Sequence, residues 1–162
     1  MSGLNELAQQ VGEQLLQQHK VLAVAESCTG GWVAKCLTDV AGSSQWFDRG
    51  FVTYSNAAKQ AMLGVSGTTL DAAGAVSEQT VREMVAGALE NSEAGVALAV
   101  SGIAGPGGGM PGKPVGTVCF AWAVEGSEVR AETRNFEGDR EAVRRQSVGH
   151  ALQGLLDVLG QG

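Results

Sequence analysis

Leu4, Leu7, Val11 and Leu15 recur every three or four residues, which predicts an amphipathic helix from the N-terminus to about His19. The pattern then changes to a nearly unbroken apolar run over residues 20–25, the mark of a strand buried on both faces. Helical spacing returns after Gly31 with Trp32, Val33, Cys36, Leu37 and Val40, and Gly42 is placed to close that helix in the left-handed conformation. Residues 50–54 read as a short strand. Ser55 or Asn56 is a cap for a brief helix over 57–63, with Gly64 just past its end. Residues 68–73 predict one more helical turn, and Ser77 caps a helix whose Val81, Met84, Val85, Ala88 and Leu89 form one apolar face. A fully apolar strand over 96–100 opens into a glycine-rich loop from Ser101 to Gly109. Residues 115–124 and 129–136 are strand-like and are separated by Glu125-Gly126-Ser127, which predicts a hairpin. Asp139 caps a last helix through Leu159, and residues 160–162 are expected to fray. Alternating strand and helix units followed by a hairpin imply an α/β fold, a three-layer α/β/α sandwich on a mixed sheet of about five strands.

Composition narrows the function classes. A chain of 162 residues that is 44% hydrophobic fits one domain with a real core, over 1–162 and with no linker. Its net charge of -6 argues against a direct nucleic-acid partner, whose phosphates need clustered Lys and Arg. No apolar segment approaches the ~18 residues of a membrane span, and no basic stretch followed by an apolar one opens the chain, so a cytoplasmic protein is expected. Cys28, Cys36 and Cys119 are odd in number and lack CxxC spacing, which fits reduced thiols. With only His19 and His150, a multi-histidine metal site is not expected.

Two glycine motifs are rejected on context. Residues 107–113 spell G-x-x-x-x-G-K, yet Pro114 stands where a magnesium-binding hydroxyl belongs and a strand follows where a helix is needed. The dinucleotide pattern at Gly107, Gly109 and Gly112 fails for the same reason, with Pro111 and Pro114 blocking a helix start.

Chemistry concentrates where the first strand ends. Residues 26–31, Glu-Ser-Cys-Thr-Gly-Gly, place the Ser27 hydroxyl at a helix entrance, the usual ligand-holding point of α/β proteins. A serine nucleophile needs a base, and the histidines are badly placed: His19 lies at the other end of the first strand, and His150 two to three turns into the last helix. Lys59 follows the end of the second strand, in the first turn of a short helix whose dipole and burial both lower a lysine pKa. A shift from ~10.4 to 7–8 takes roughly 3 to 5 kcal/mol. On the pattern alone, a solvated helix lysine stays open as the alternative. Tyr54 is placed to relay a proton or orient the lysine, and Ser101 to join the same cluster from the third strand; a strand-end packing residue and a simple loop serine stay open as the alternatives. Backbone N–H groups of Thr29, Gly30 and Gly31 are candidates for an oxyanion hole. Arg140 and Arg144 sit one above the other on the last helix, with Arg145 alongside, and suit a phosphate or carboxylate. A second reading gives the nucleophile role to Cys28, a thiol at a helix N-terminus.

Residues 25–31, 42–44, 50–56 with Lys59, 74–77, 101–108 and 113–118, taken in order, resemble the C-terminal domain of the competence/damage-inducible protein A group in its stand-alone deamidase form. The resemblance runs from about residue 4 to 158. It implies hydrolysis of the carboxamide of nicotinamide mononucleotide to nicotinate mononucleotide and ammonia, by a serine/lysine mechanism without metal or cofactor. Carried onto this chain, it makes Ser27 the nucleophile and Lys59 the general base; Tyr54 and Ser101 are our supporting choices, made on their positions. The phosphate falls to Arg140, Arg144 and the loop of Gly102 to Gly108, including Gly105. Longer members of the group carry a further N-terminal domain, whose functions are not transferred. The expected partner is a small nucleotide, with no nucleic acid and no membrane. A homo-oligomer is expected, a dimer favoured, formed through apolar faces on the first helix or on the helix over 81–89.

Overall fold

The structure is a computed structural model and describes residues 2–160. Strand β1 (Leu22–Glu26) lies between β2 (Phe47–Val52) and β3 (Val96–Gly102) and runs parallel to both. β4 (Thr117–Val124) and β5 (Arg130–Asn135) continue the sheet antiparallel, giving the order β2-β1-β3-β4-β5. The helices are α1 (Ser2–Gln17), α2 (Trp32–Thr38), α3 (Asn56–Leu63), α4 (Gly67–Ala73), α5 (Glu78–Glu90) and α6 (Arg140–Gly160). α1, α2 and α6 cover one face of the sheet while α3, α4 and α5 cover the other, which makes the three-layer α/β/α sandwich that the alternation predicts.

The two faces differ in side-chain size because residues alternate along a strand. Toward α1 and α6 the inner strands present Leu22, Val24, Leu98, Val100, Phe120 and Trp122. Toward α5 they present Ala23, Ala25, Ala97, Ala99, Ala121 and Ala123, against Val81, Met84, Val85 and Ala88. Small strand residues let α5 lie close to the sheet. α3 crosses α5 just as closely: a Cβ at Gly87 would stand 2.0 Å from the carbonyl oxygen of Leu63. Gly87→Ala should therefore cost roughly 1–3 kcal/mol in denaturant unfolding and lower activity as well, because α3 carries Lys59.

Several boundaries move, each for a local reason. α1 ends at Gln17, and His19 at φ 55 closes it, with Lys20 N donating to Leu15 O. α2 stops at Thr38; Gly42 is left-handed as expected, but it opens a 3-10 turn, Ser43–Gln45, and does not cap α2. β2 begins at Phe47, three residues earlier than expected, because an edge strand takes the polar pair Asp48 and Arg49 that a buried strand would not. It ends at Val52, so Thr53 and Tyr54 lie beyond it. β3 runs two residues further, through Ser101 and Gly102, because those residues pair with Cys119 and Val118 of β4. The hairpin strands are each slightly shorter than expected. Gly160 is helical, while the other two residues expected to fray, 161 and 162, lie outside the described residues. The apolar faces of α1 and α5 offered as dimer surfaces are buried within the chain, with Val11, Leu15, Val81 and Met84 fully covered. No helix among the described residues is long and apolar enough to cross a membrane.

Candidate active site

The parallel strands β2, β1 and β3 all finish at one edge, and the candidate chemistry collects there. Ser27 extends β1, its N–H donating to Val100 O at 3.0 Å, and Thr53 extends β2 by donating to Glu26 O at 2.8 Å. The chain then turns through Tyr54 into α3, whose N-cap is Ser55, with Ala58 N donating to its hydroxyl. One turn later Lys59 points back under the strand ends.

Its ammonium nitrogen has three neighbours: Ser27 Oγ at 2.9 Å, Thr53 O at 2.9 Å and Tyr54 O at 3.1 Å. As an ammonium, Lys59 donates to all three. As an amine, its two N–H groups serve the carbonyls and its lone pair faces Ser27 Oγ, which is the geometry of a general base. Lys59 is 1% exposed, and burial pushes its pKa below the ordinary lysine value. Among the described residues, no ion pair includes it.

Ser27, Lys59, Ser101, Gly102, Tyr54 and Arg140 line one cavity of about 230 Å³. Tyr54 is 63% exposed; its hydroxyl meets Arg140 Nη2 at 3.4 Å, and its main-chain carbonyl, not its ring, holds the lysine. Arg140 also donates from Nη1 to Gly105 O at 2.8 Å. Arg144 lies elsewhere, behind the Ser27 turn: its Nε donates to Cys28 O at 3.0 Å and its Nη2 to Thr29 O at 3.2 Å. Neither histidine lines the cavity. His150 instead meets the Glu132 carboxylate and packs edge-on to Phe120 and Trp122. Residues 107–113 form an exposed loop between β3 and β4, closed by the Met110–Lys113 bridge, with Lys113 Nζ donating to Ala73 O at 2.6 Å.

Glu26 is the residue that sequence reasoning missed. It is 1% exposed, and its carboxylate accepts from Thr29 Oγ1, from Gly31 N at 3.2 Å, from Val33 N at 3.0 Å and from Ala34 N at 2.9 Å. The entrance of α2 is thus filled by the chain's own carboxylate. The signal was present in the sequence, as a charge ending an otherwise apolar run. This arrangement changes the chemistry of the turn in two ways. Gly31 N–H is committed to Glu26 and Gly30 N–H to Ser27 O at 3.1 Å, whereas no oxygen acceptor among the described residues takes the N–H groups of Cys28 and Thr29. The Cys28 thiol is pushed up to about 12, by burial first and also by the Glu26 carboxylate, so at neutral pH it is not a thiolate.

The matching family model is the CinA C-terminal domain, over residues 4–159. The chain belongs to the CinA C-terminal domain family. Within that family it is 55% identical to the nicotinamide-nucleotide amidohydrolase PncC of Escherichia coli K12 over 154 residues, covering 95% of this chain and 93% of the relative. It is 52% identical to the protein of that name from Pseudomonas putida, with 98% of each covered. The crystal structure of the competence/damage inducible protein CihA from Agrobacterium tumefaciens superposes with a TM-score of 0.93 at 45% identity, covering 98% of this chain and 96% of that one. In this CinA-type chain, the described residues include no group of three or more His, Cys, Asp or Glu side chains placed to hold a metal ion.

Proposed function

We propose that this CinA-type domain is a nicotinamide-nucleotide amidohydrolase that converts nicotinamide mononucleotide and water to nicotinate mononucleotide and ammonia. The observation that carries the chemistry is the buried Lys59 nitrogen, 2.9 Å from Ser27 Oγ with two carbonyls directing its N–H groups. The names of the PncC relatives support the substrate.

In this mechanism neutral Lys59 takes the Ser27 proton as Oγ bonds to the carboxamide carbon. The negative charge that develops on the carboxamide oxygen is met by the Cys28 and Thr29 N–H groups, the two donors of the turn left uncommitted. The Lys59 ammonium returns the proton to the amide nitrogen, the C–N bond breaks and ammonia leaves. Water then attacks the acyl-Ser27 ester, giving one proton to Lys59, which passes it to Oγ as the carbonyl–Oγ bond breaks; this restores Ser27 and neutral Lys59, and the released nicotinic acid group loses its remaining proton to the ammonia. Arg140, on the cavity wall beside Tyr54, is assigned to the substrate phosphate. The three cysteines are unpaired and buried, which supports placing the enzyme in the cytoplasm. A homodimer is also part of the proposal, and light scattering measures it.

The test is ammonia release from nicotinamide mononucleotide by the purified protein; none at any pH between 6 and 10 ends the proposal. Arg140→Ala should raise KM about 10- to 100-fold for the nucleotide, the worth of a charge-assisted hydrogen bond, and leave turnover of the phosphate-free riboside unchanged. An equal loss on both substrates would place Arg140 at the reacting carboxamide.

A further inference from the structure

Arg144 contributes to neither wall nor floor of the Ser27 cavity. It lies in a separate, open hollow of about 990 Å³ on the other side of the turn, its guanidinium 5.7 Å from the centre of the Trp32 ring. Two of its N–H groups are committed to main-chain carbonyls, those of Cys28 and Thr29. These carbonyls belong to the peptides just after the nucleophile.

We propose that Arg144 is a positioning residue that sets the oxyanion-binding N–H groups of the turn from behind; this rests on the amide-hydrolysing reading above. In a trans peptide the C=O and the N–H point in opposite directions in one plane, so fixing the carbonyl fixes the donor. Arg144 Nε on Cys28 O therefore aims the Thr29 N–H. Arg144 Nη2 on Thr29 O orients the next peptide, whose Gly30 N–H bonds Ser27 O, and that bond in turn aims the Cys28 N–H. Both uncommitted donors are thus oriented through one guanidinium. Its charge also polarises the Cys28–Thr29 peptide and strengthens the Thr29 N–H as a donor. Glu26 holds the next segment of the turn by its N–H groups while Arg144 holds this one by its carbonyls, so the turn is fixed from both ends. A lysine cannot replace Arg144, because a single ammonium lacks the planar fork that reaches both oxygens.

Steady-state kinetics on nicotinamide mononucleotide test the assignment. Arg144→Ala should lose about 10²-fold in kcat, the size of effect seen when reacting groups are misplaced by about 1 Å, with KM within about twofold of wild type. Arg144→Lys should recover little of that loss. Because the hollow is open, guanidinium at non-denaturing concentration should enter the space left in Arg144→Ala and restore kcat severalfold, without effect on the wild type. Hydrogen exchange over residues 27–31 supplies a readout independent of turnover and should speed up in Arg144→Ala. An unchanged kcat, a raised KM at unchanged kcat, a loss that guanidinium does not reverse, or unchanged exchange would each overturn the proposal. A wild-type protein that releases no ammonia would overturn the amidohydrolase reading and the oxyanion role with it, while the exchange comparison would separately show whether Arg144 orders the turn.

Discussion

Ser27→Ala is expected to reduce ammonia release by roughly 10⁴- to 10⁶-fold, the range seen when a hydrolytic serine is removed, while Cys28→Ala keeps most of the wild-type rate. The reason lies in what each side chain faces. Ser27 Oγ sits 2.9 Å from a buried amine that can accept its proton. The Cys28 sulfur is buried, with its pKa pushed up to about 12, and the Glu26 carboxylate already fills the helix entrance that would have favoured a thiolate. Single-turnover ammonia measurements on both variants check the result. Loss of turnover in Cys28→Ala with retention in Ser27→Ala would move the nucleophile to the thiol. The cysteine variant also leaves its backbone N–H in place, so the oxyanion donor at that position survives the change.

Lys59 links activity to stability through one proton. Burial depresses its pKa in the folded protein below the ordinary lysine value it has in the unfolded chain. Between those two values the unfolded state binds more protons, so folding stability rises with pH across that window; below it the full cost of burying the ammonium is present. Lys59→Met removes the titration. The stability of the wild type relative to Lys59→Met should therefore climb with pH from the depressed folded pKa up to the ordinary lysine value of ~10.4, with a slope of at most about 1.4 kcal/mol per pH unit. The same protonation should govern kcat/KM, which rises as the free amine forms, with an apparent pKa below that of an ordinary lysine. Lys59→Met should lose turnover throughout. Urea melts at several pH values, run beside the pH–rate profile, check both. A difference in stability that is flat with pH, or a Lys59→Met variant with wild-type turnover, would remove Lys59 as the base.

The pairing of Ser27 with Lys59 was legible because it depends on features the chain writes locally: apolar strands of known direction, a turn after each, and a capped helix after the second. Neighbouring parallel strands that end together bring their succeeding turns together. The caps at Ser55, Ser77 and Asp139 were legible for the same reason, since each hydroxyl or carboxylate bonds an N–H only three residues on. What the sequence hid depends on closure between distant segments. Arg140 and Arg144 look equivalent, one turn apart on the same helix, yet the cavity lies beneath one and the back of the Ser27 turn beneath the other. Glu26 reads as a strand-end charge until α2 folds onto it. The apolar faces of α1 and α5 read as free surfaces until the sheet covers them, because periodicity tells that a face is buried and not by what.

The order of the chain sets the order in which the site becomes complete. Ser27 follows β1 and Lys59 lies on α3, while β3 holds Ser27 through Val100 O and supplies the wall at Ser101. The two arginines arrive on α6, the last described element, which must dock across the sheet before Arg140 reaches Gly105 and Arg144 reaches the nucleophile turn. During synthesis the segments that carry Ser27, Lys59 and Ser101 are all made before that helix. A growing chain therefore holds the proposed nucleophile and base before it holds the arginines proposed to aim the oxyanion donors and bind the phosphate, and hydrolysis by the proposed mechanism waits on the final helix.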